Sequence, residues 1–287
     1  MSEFTPLRSV LYMPSSNERA LEKAKSIPCD GLILDLEDAV APDAKVSARE
    51  AACAAAASGE YGRRTVTIRV NSLGTEWHDD DIRAAAQAGP AAIVVPKVGS
   101  VEEVRDLVDA IEDAGAPDHT MLWAMIETPV AILDALAIAK ASDRLGCFVI
   151  GTNDLVKELY AEHVPGRAPI LPSLHTALLA ARAAGISIVD GVYNDVKDNE
   201  GFLAECEQGR QMGFDGKTLI HPSQVDGANE AFAPSEQAIE DARGLIQAFE
   251  DGRGSGVVTY NGRMIENLHV ESARRTLSIA EAIAALS

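Results

Sequence analysis

Basic residues are scarce in this 287-residue chain, which has 25 Lys and Arg against 44 Asp and Glu and a formal net charge of −19. So acidic a protein repels phosphate backbones and anionic headgroups, which argues against nucleic acid and membrane surfaces as partners. No run of residues approaches the ~20 consecutive apolar positions of a membrane span. The first residues also lack the basic segment and apolar stretch of a secretory signal. We therefore expect a cytoplasmic protein.

The sequence also has few cysteines and lacks the glycine motif of dinucleotide-binding folds after its first predicted strand. The four cysteines lie far apart and form no Cys-x-x-Cys pair: Cys29, Cys53, Cys147 and Cys206. A chain of this length buries a large core without a disulfide framework, so we expect reduced thiols. No G-x-G-x-x-G follows the first predicted strand, and a dinucleotide-binding fold therefore loses its main support.

What the sequence has instead is a regular alternation of short β-branched or apolar runs with longer Ala-rich amphipathic segments. Eight runs are predicted to be strands: residues 9–13, 31–36, 65–70, 92–96, 122–126, 147–151, 186–190 and 214–220. Eight β-then-α units in one chain predict an α/β fold, a closed parallel (β/α)8 TIM barrel. An open doubly wound sheet is the second possibility.

The C-terminal part of the sequence departs from this alternation. A further helix is predicted at about 235–250, and a glycine-rich stretch follows it before a tail of mixed composition. We predict a barrel catalytic domain over 1–251 and a C-terminal helical tail appendage over 252–287. The tail is expected to dock on its own barrel or to cap a neighbouring subunit's active site.

Polar side chains follow nearly every predicted strand, at the end of the barrel where such folds carry their chemistry. They include Asp35, Glu37, Asp38, Arg69, Lys97, Glu127, Asn153, Asp154, Asn194 and His221. Some have simpler explanations. Asn153 and Asp154 could cap the helix that follows, Lys97 could be a solvated loop residue, and His221 with Pro222 could form a turn. Asp35 and Glu37 could pair with Arg69 in one buried salt bridge.

Glu127 and Asp154 follow strands five and six, which are neighbours in the predicted barrel. Two carboxylates that point into one mouth repel each other unless a cation lies between them. Mg²⁺ takes one or two protein carboxylates and leaves its other positions to water and substrate oxygens. Arg69, two strands earlier, would then bind a substrate carboxylate bidentately.

At this point the sequence resembles a known family. The segments that carry the resemblance are, in order, "RSVLYMP", "GLILDLEDAVAPDAK", "TIRVNSLGTEW", "AIVVPKV", "AMIETP", "GTNDLVKEL", "DGVYNDVKDNEGF", "GFDGKTLIHPSQ" and "GRMIENLHV". Over essentially the whole chain they resemble the citrate lyase β-subunit-like (HpcH/HpaI aldolase/citrate lyase) family, whose members act on malyl-CoA and citramalyl-CoA. The resemblance implies a TIM barrel, Mg²⁺ (with Mn²⁺ possible), a coenzyme A thioester as substrate, and assembly into homotrimers or homohexamers.

The resemblance also implies roles for individual residues. Glu127 and Asp154 match the family's metal ligands, and Arg69 matches the arginine that binds the carboxylate end of the acyl group. The residues that match the coenzyme A path are Tyr12, Met13, Lys23, Ile220 and His221. The acidic segment after strand two, with Asp35, Glu37 and Asp38, is expected to support the metal and its waters.

One position departs from the pattern of the family's lyases, which carry an aspartate general base in the tail. This chain has Glu266 there, in "RMIENLH". The longer side chain moves the carboxylate by about one methylene, and displacements of ~1 Å change reactivity about a hundredfold. The segments "ENLH", "DGVYN" and "ECEQGRQMGFDGKTLIHP" most resemble the thioesterases of the family. That resemblance implies hydrolysis of (3S)-malyl-CoA, and we expect Glu266 to activate the water molecule.

Three other functions stay open at this point. The chain could be a C–C lyase that cleaves malyl-CoA, β-methylmalyl-CoA or citramalyl-CoA to an acyl-CoA and a 2-oxo acid. It could be a class II type aldolase on free 2-oxo acids, without a coenzyme A path. It could also be a CoA-ester-binding subunit of a larger lyase complex, inactive without its partner.

Overall fold

Eight parallel strands close into a barrel in this computed structural model, which describes residues 5–252 and 258–286. The strands are β1 (Ser9–Pro14), β2 (Gly31–Asp35), β3 (Thr65–Arg69), β4 (Ala92–Val95), β5 (Met121–Ile126), β6 (Leu145–Ile150), β7 (Ser187–Asp190) and β8 (Gly216–Leu219). Each strand pairs with the next, and β8 closes on β1 through Val10 opposite Thr218. The predicted (β/α)8 fold is confirmed.

Helices follow the strands. They are α1 (Glu18–Ala24), α2 (Lys45–Ala57), α3 (His78–Ala88), α4 (Val101–Asp113), α5 (Pro129–Leu133), α6 (Ala135–Ala139), α7 (Thr152–Glu158), α8 (Leu171–Ala184), α9 (Asn199–Met212) and α10 (Val225–Phe232). The segment after β5 forms two short helices, because Asp134 has non-helical φ/ψ of −99° and 9° and separates α5 from α6. Aspartate is a weak residue for a helix interior.

The strands are buried on both faces, which explains their nearly continuous apolar sequences. Side chains of Val10, Ile33, Val94, Met125 and Val149 belong to one buried cluster. Because successive strand residues face opposite sides, these positions alternate with residues that pack toward the helices. The alternation fixes which residue at each strand end can face the mouth of the barrel.

The residues from Phe232 onward form a second compact unit, separate from the unit Leu7–Ala231. In it α11 (Glu236–Asp251) packs against α12 (Asn267–Leu286) and against a short hairpin of β9 (Val258–Tyr260) and β10 (Arg263–Ile265). The predicted helix at about 235–250 and the helical character of the tail are confirmed. The division of function between 1–251 and 252–287 stays a prediction. In the described ranges no helix is both long and apolar enough to cross a membrane.

Candidate active site

A cavity of about 310 Å³ opens at the C-terminal ends of the barrel strands. Eight of the residues that the sequence singled out line it: Tyr12, Asp35, Asp38, Arg69, Glu127, Asn153, Asp154 and Ile220. They come from the ends of six different strands, so only barrel closure brings them together. The convergence that the strand-end pattern predicted is therefore present in the structure.

Glu127 lies directly after β5 and is only 2% exposed. The backbone N–H of Lys97 donates to its Oε1 at 2.9 Å. Burial, with the charges of Asp154 and Glu37, raises the pKa of Glu127 to about 7. Within residues 5–252 and 258–286 no hydrogen bond is made to Oε2, so this oxygen is left for a ligand.

Asp154 lies in the first turn of α7, next to β6. The helix is preceded by Gly151 and has no side-chain cap, so the suggestion that Asn153 or Asp154 serves as its cap was wrong. In the described part of the chain the Asp154 carboxylate forms no hydrogen bond or ion pair, while its charge acts on Glu127. Two neighbouring carboxylates with unused oxygens are suited to share a hard cation.

Gly151 makes room for the Glu127 side chain. A Cβ atom at position 151 would lie 2.5 Å from Cβ and 2.9 Å from Cδ of Glu127, closer than real Cβ contacts. The backbone of Gly151 has ordinary φ and ψ of −97° and 82°, so the constraint is space and not conformation. Glycine is required at position 151 because the Glu127 side chain occupies the space that a Cβ atom would fill.

We expect Gly151→Ala to lower turnover by about tenfold to a hundredfold, because the added methyl displaces Glu127 by a fraction of an ångström or more. Gly146→Ala, in the β6 strand that leads to Gly151, is the matched control, since the nearest atoms to its Cβ belong to the Met121 side chain at 3.3 Å or more. Steady-state kinetics and the melting temperature of both variants test this. Wild-type turnover in a folded Gly151→Ala protein would contradict it.

Arg69 is buried and held by carboxylates. Its Nε and Nη2 donate to the two oxygens of Asp35, both at 2.7 Å, and its Nη1 lies 2.8 Å from Glu37. The buried salt-bridge explanation of Asp35 and Glu37 is therefore confirmed. The expectation that Arg69 offers a free bidentate edge needs correction, because Asp35 occupies the Nε–Nη2 edge. The guanidinium also lies 4.9 Å from the Tyr12 ring.

Glu37 and Asp38 differ in their surroundings. The Glu37 side chain accepts a hydrogen bond from the Ser72 hydroxyl at 2.7 Å, and burial raises its pKa although Arg69 opposes the shift. Asp38 has a side chain that is 77% exposed, 3.5 Å from Nη1 of Arg69. Asp38 is thus the accessible member of the acidic pair, while Glu37 orders Arg69.

Three of the residues that match the coenzyme A path lie outside the wall of this cavity. Met13 is buried on the opposite face of β1 from Tyr12, and Lys23 is exposed on α1. His221 is exposed, and its Nδ1 accepts from the Ser223 N–H at 3.2 Å. It caps the 3₁₀ turn Pro222–Gln224, which confirms the turn interpretation of His221 and Pro222. Their contact with coenzyme A stays a prediction.

Glu266 lies in the second unit, between β10 and α12, with an exposed side chain. Its backbone N–H donates to Nδ1 of His269 at 3.0 Å, and its carbonyl accepts from the His269 N–H at 3.0 Å. These two bonds fix the backbone of Glu266 at the start of the helix. The proposed catalytic role of its carboxylate stays a prediction.

Sequence reasoning missed two contributions to the site. Lys97 acts through its backbone N–H, in a left-handed conformation with φ of 56°, and its side chain is exposed. Asn153 and Asn194 exchange side-chain amide hydrogen bonds at 3.1 and 2.7 Å, which joins the loops after β6 and β7. The two asparagines stood out as strand-end residues, but nothing in the sequence pairs them.

The fold and the site together define a TIM barrel with a pair of carboxylates and a buried arginine at its catalytic mouth. The chain belongs to the HpcH/HpaI aldolase/citrate lyase family, whose sequence profile matches residues 8–222. The family predicted from the ordered segments is thus confirmed.

Individual relatives match nearly the full length. The chain is 50% identical to a (3S)-malyl-CoA thioesterase of Cereibacter sphaeroides, over 98% of this chain and 96% of the relative. It is 36% identical to the citrate lyase subunit beta of Escherichia coli, over 96% and 93%. Among solved structures, the protein CitE from Mycobacterium tuberculosis in complex with magnesium, acetoacetate and coenzyme A is similar. It has a TM-score of 0.76 and 28% identity, over 96% and 98% of the two chains.

Proposed function

We propose that this protein hydrolyses (3S)-malyl-CoA to malate and coenzyme A in a Mg²⁺-dependent reaction at the mouth of the barrel. The observation that carries the proposal is the 50% identity, over almost all of both chains, to a (3S)-malyl-CoA thioesterase. The cavity at Glu127 and Asp154 supplies the physical setting.

The residues at the mouth fit a magnesium ion. Glu127 offers Oε2 and Asp154 offers its carboxylate, and no group of three or more His, Cys, Asp or Glu side chains forms a metal site in the described ranges. A donor set of two carboxylates suits Mg²⁺, which retains water or substrate oxygens in its other positions; Mn²⁺ shares the preference for oxygen. When bound, the ion would polarise substrate oxygens and offset the two negative charges. The similar protein CitE contains magnesium.

Arg69 supplies the positive charge that an anionic substrate needs in a protein of net charge −19. Asp35 and Glu37 hold the guanidinium in place, and Nη1 also donates to the Met125 sulfur at 3.9 Å. Among the described residues, the second N–H of Nη2 is therefore the one available to a substrate carboxylate. Because the surroundings fix the cation, little rotamer entropy is lost when the substrate binds. Tyr12 covers one face of the guanidinium.

Glu266 serves as the general base in this proposal. Its carboxylate takes a proton from a water molecule, whose oxygen attacks the thioester carbonyl carbon. The C–S bond then breaks, coenzyme A leaves as the thiolate, and Glu266 returns the proton to the sulfur. In a C–C lyase the same position would instead take the proton of the 3-hydroxyl group.

The coenzyme A portion extends outward from the cavity in this proposal. Ile220 forms part of the wall and is 42% exposed, so its side chain is accessible to a ligand. His221 and Lys23 would line the path farther out. A homotrimer or homohexamer, with the tail contributing Glu266 to a site, is the assembly that we propose.

The test is to incubate the purified protein with Mg²⁺ and (3S)-malyl-CoA and to follow free thiol and glyoxylate in parallel. We expect thiol without glyoxylate, abolished by EDTA and restored by excess Mg²⁺. Glyoxylate without thiol would instead support a C–C lyase, the candidate favoured by the 36% identity to a citrate lyase subunit. Absence of any turnover of the free ester would contradict both and favour a subunit that needs a partner.

A further inference from the structure

Gln224 is a buried amide, 3% exposed, in the turn after β8. Its Oε1 accepts the backbone N–H groups of Ile220 at 3.1 Å and His221 at 3.2 Å. Its Nε2 donates to the backbone carbonyl of Tyr193 at 3.1 Å. One side chain therefore joins the loop after β8 to the loop after β7.

The bond from the His221 N–H is one half of the reciprocal cap of the Pro222–Gln224 turn, and the His221 side chain supplies the other half. Such a cap uses only the side-chain oxygen, so glutamate serves it as well as glutamine. The bond to Tyr193 needs the amide nitrogen, which glutamate lacks. Glutamine at this position thus adds the bond to the Tyr193 carbonyl, which the cap does not require.

Both joined loops contribute to the wall of the cavity at Glu127. Ile220 comes from the loop after β8, and Val192, the neighbour of Tyr193, comes from the loop after β7. These apolar residues face a cavity whose other members include Glu127, Asp154 and Arg69. The spacing of this apolar wall therefore depends on the Gln224 amide.

We propose that Gln224 is a positioning residue that holds the Ile220 and Val192 wall in the shape that receives the coenzyme A thioester. The inference rests on the proposed function, because it assigns that wall to the ester. Gln224 acts through the two loops and does not line the cavity among the described residues.

The metal side of the cavity has a separate support. Glu127 is held by the Lys97 N–H from the loop after β4, and Asp154 lies in the first turn of α7, so neither belongs to the two loops that Gln224 joins. Loss of the Gln224 bond leaves these contacts in place. Loss of the Gln224 bond should therefore weaken binding of the ester equally in the ground state and the transition state. Metal affinity and the rate of the chemical step should not change.

Two variants separate the cap from the bridge. Gln224→Glu keeps an oxygen for both N–H groups and loses the donor to Tyr193, while Gln224→Met removes both functions at similar size. We expect each to raise KM for (3S)-malyl-CoA about three- to tenfold, from the added cost of ordering the loops. The kcat should stay within about threefold and the Mg²⁺ half-saturation should not change.

Gln208→Met is the matched control. The Gln208 amide also bridges backbone and side chain, accepting from Arg167 Nε at 2.8 Å and donating to the Gly166 carbonyl at 2.8 Å. Among the described residues it borders a neighbouring cavity of about 420 Å³ and not the one at Glu127. It should lower the melting temperature by an amount comparable to Gln224→Met and leave KM unchanged.

The outcomes are distinct. A rise in KM in both Gln224 variants but not in Gln208→Met supports the inference, whether thiol or glyoxylate is the product detected. Unchanged KM in folded Gln224→Glu, or an equal rise in Gln208→Met, overturns it. If the wild type turns over no malyl-CoA, the proposed function fails, and the affinity of the same variants for coenzyme A then tests the bridge by the same comparison.

Discussion

Glu127→Gln is expected to lower hydrolysis of (3S)-malyl-CoA by more than about a hundredfold, because the amide replaces a charged ligand of the metal with a weak neutral one. The backbone N–H of Lys97 still has an oxygen to donate to, so the local structure should persist. Calorimetric titration with Mg²⁺ should show a matching loss of affinity. The assay compares kcat/KM and metal affinity in the same preparations.

The stability of this variant distinguishes a ligand from a structural residue. Burial and the nearby Asp154 charge disfavour the ionised form of Glu127, so its removal should not lower the melting temperature of the metal-free protein. Glu102→Gln, at an exposed position of α4, is the control and should change neither property. Normal metal-dependent turnover in Glu127→Gln would show that the metal binds elsewhere.

Glu266→Asp is expected to lower thiol release about a hundredfold, since the carboxylate retreats by about one methylene from the water that it activates. Glu266→Gln removes the base and should cost ~10²–10⁴-fold. If the longer side chain selects hydrolysis, the aspartate variant should also release a larger share of glyoxylate. Parallel thiol and glyoxylate assays measure both effects.

The control for this prediction is Glu271→Gln, which removes a nearby exposed carboxylate in α12, the helix that begins just after Glu266. It should leave the rate and the product ratio unchanged. An unaltered rate and product ratio in Glu266→Asp would mean that this residue does not determine the reaction.

The sequence predicts the barrel well because each strand is buried on both faces and its neighbours alternate regularly with helices. It predicts the tail less completely: the hairpin of β9 and β10 was not foreseen, although Asn261-Gly262 is a strong turn signal. Both residues adopt positive φ, 47° and 74°, as a two-residue hairpin turn requires. The Asn261-Gly262 turn signal is present in the sequence, but the two strands beside it are only three residues long and show no clear alternation.

The sequence predicts which residues lie at the site better than it predicts the contacts that they make. Strand-end position brings Glu127, Asp154 and Arg69 to one mouth, because parallel strands end together. Which partner each side chain takes depends on packing. The sequence offered a salt bridge between Arg69 and Asp35 as one possibility, but it did not show that Asp35 binds the Nε–Nη2 edge of the guanidinium or that Lys97 acts through its backbone N–H.

The most direct test of the account is to run the reaction on (3S)-malyl-CoA with Mg²⁺ in ¹⁸O-enriched water and analyse the products by mass spectrometry. Attack of water on the thioester carbonyl predicts malate with one ¹⁸O atom in a carboxylate, formed in equal amount to free coenzyme A. Accumulation of acetyl-CoA with no labelled malate would contradict hydrolysis and show that the protein cleaves the C–C bond.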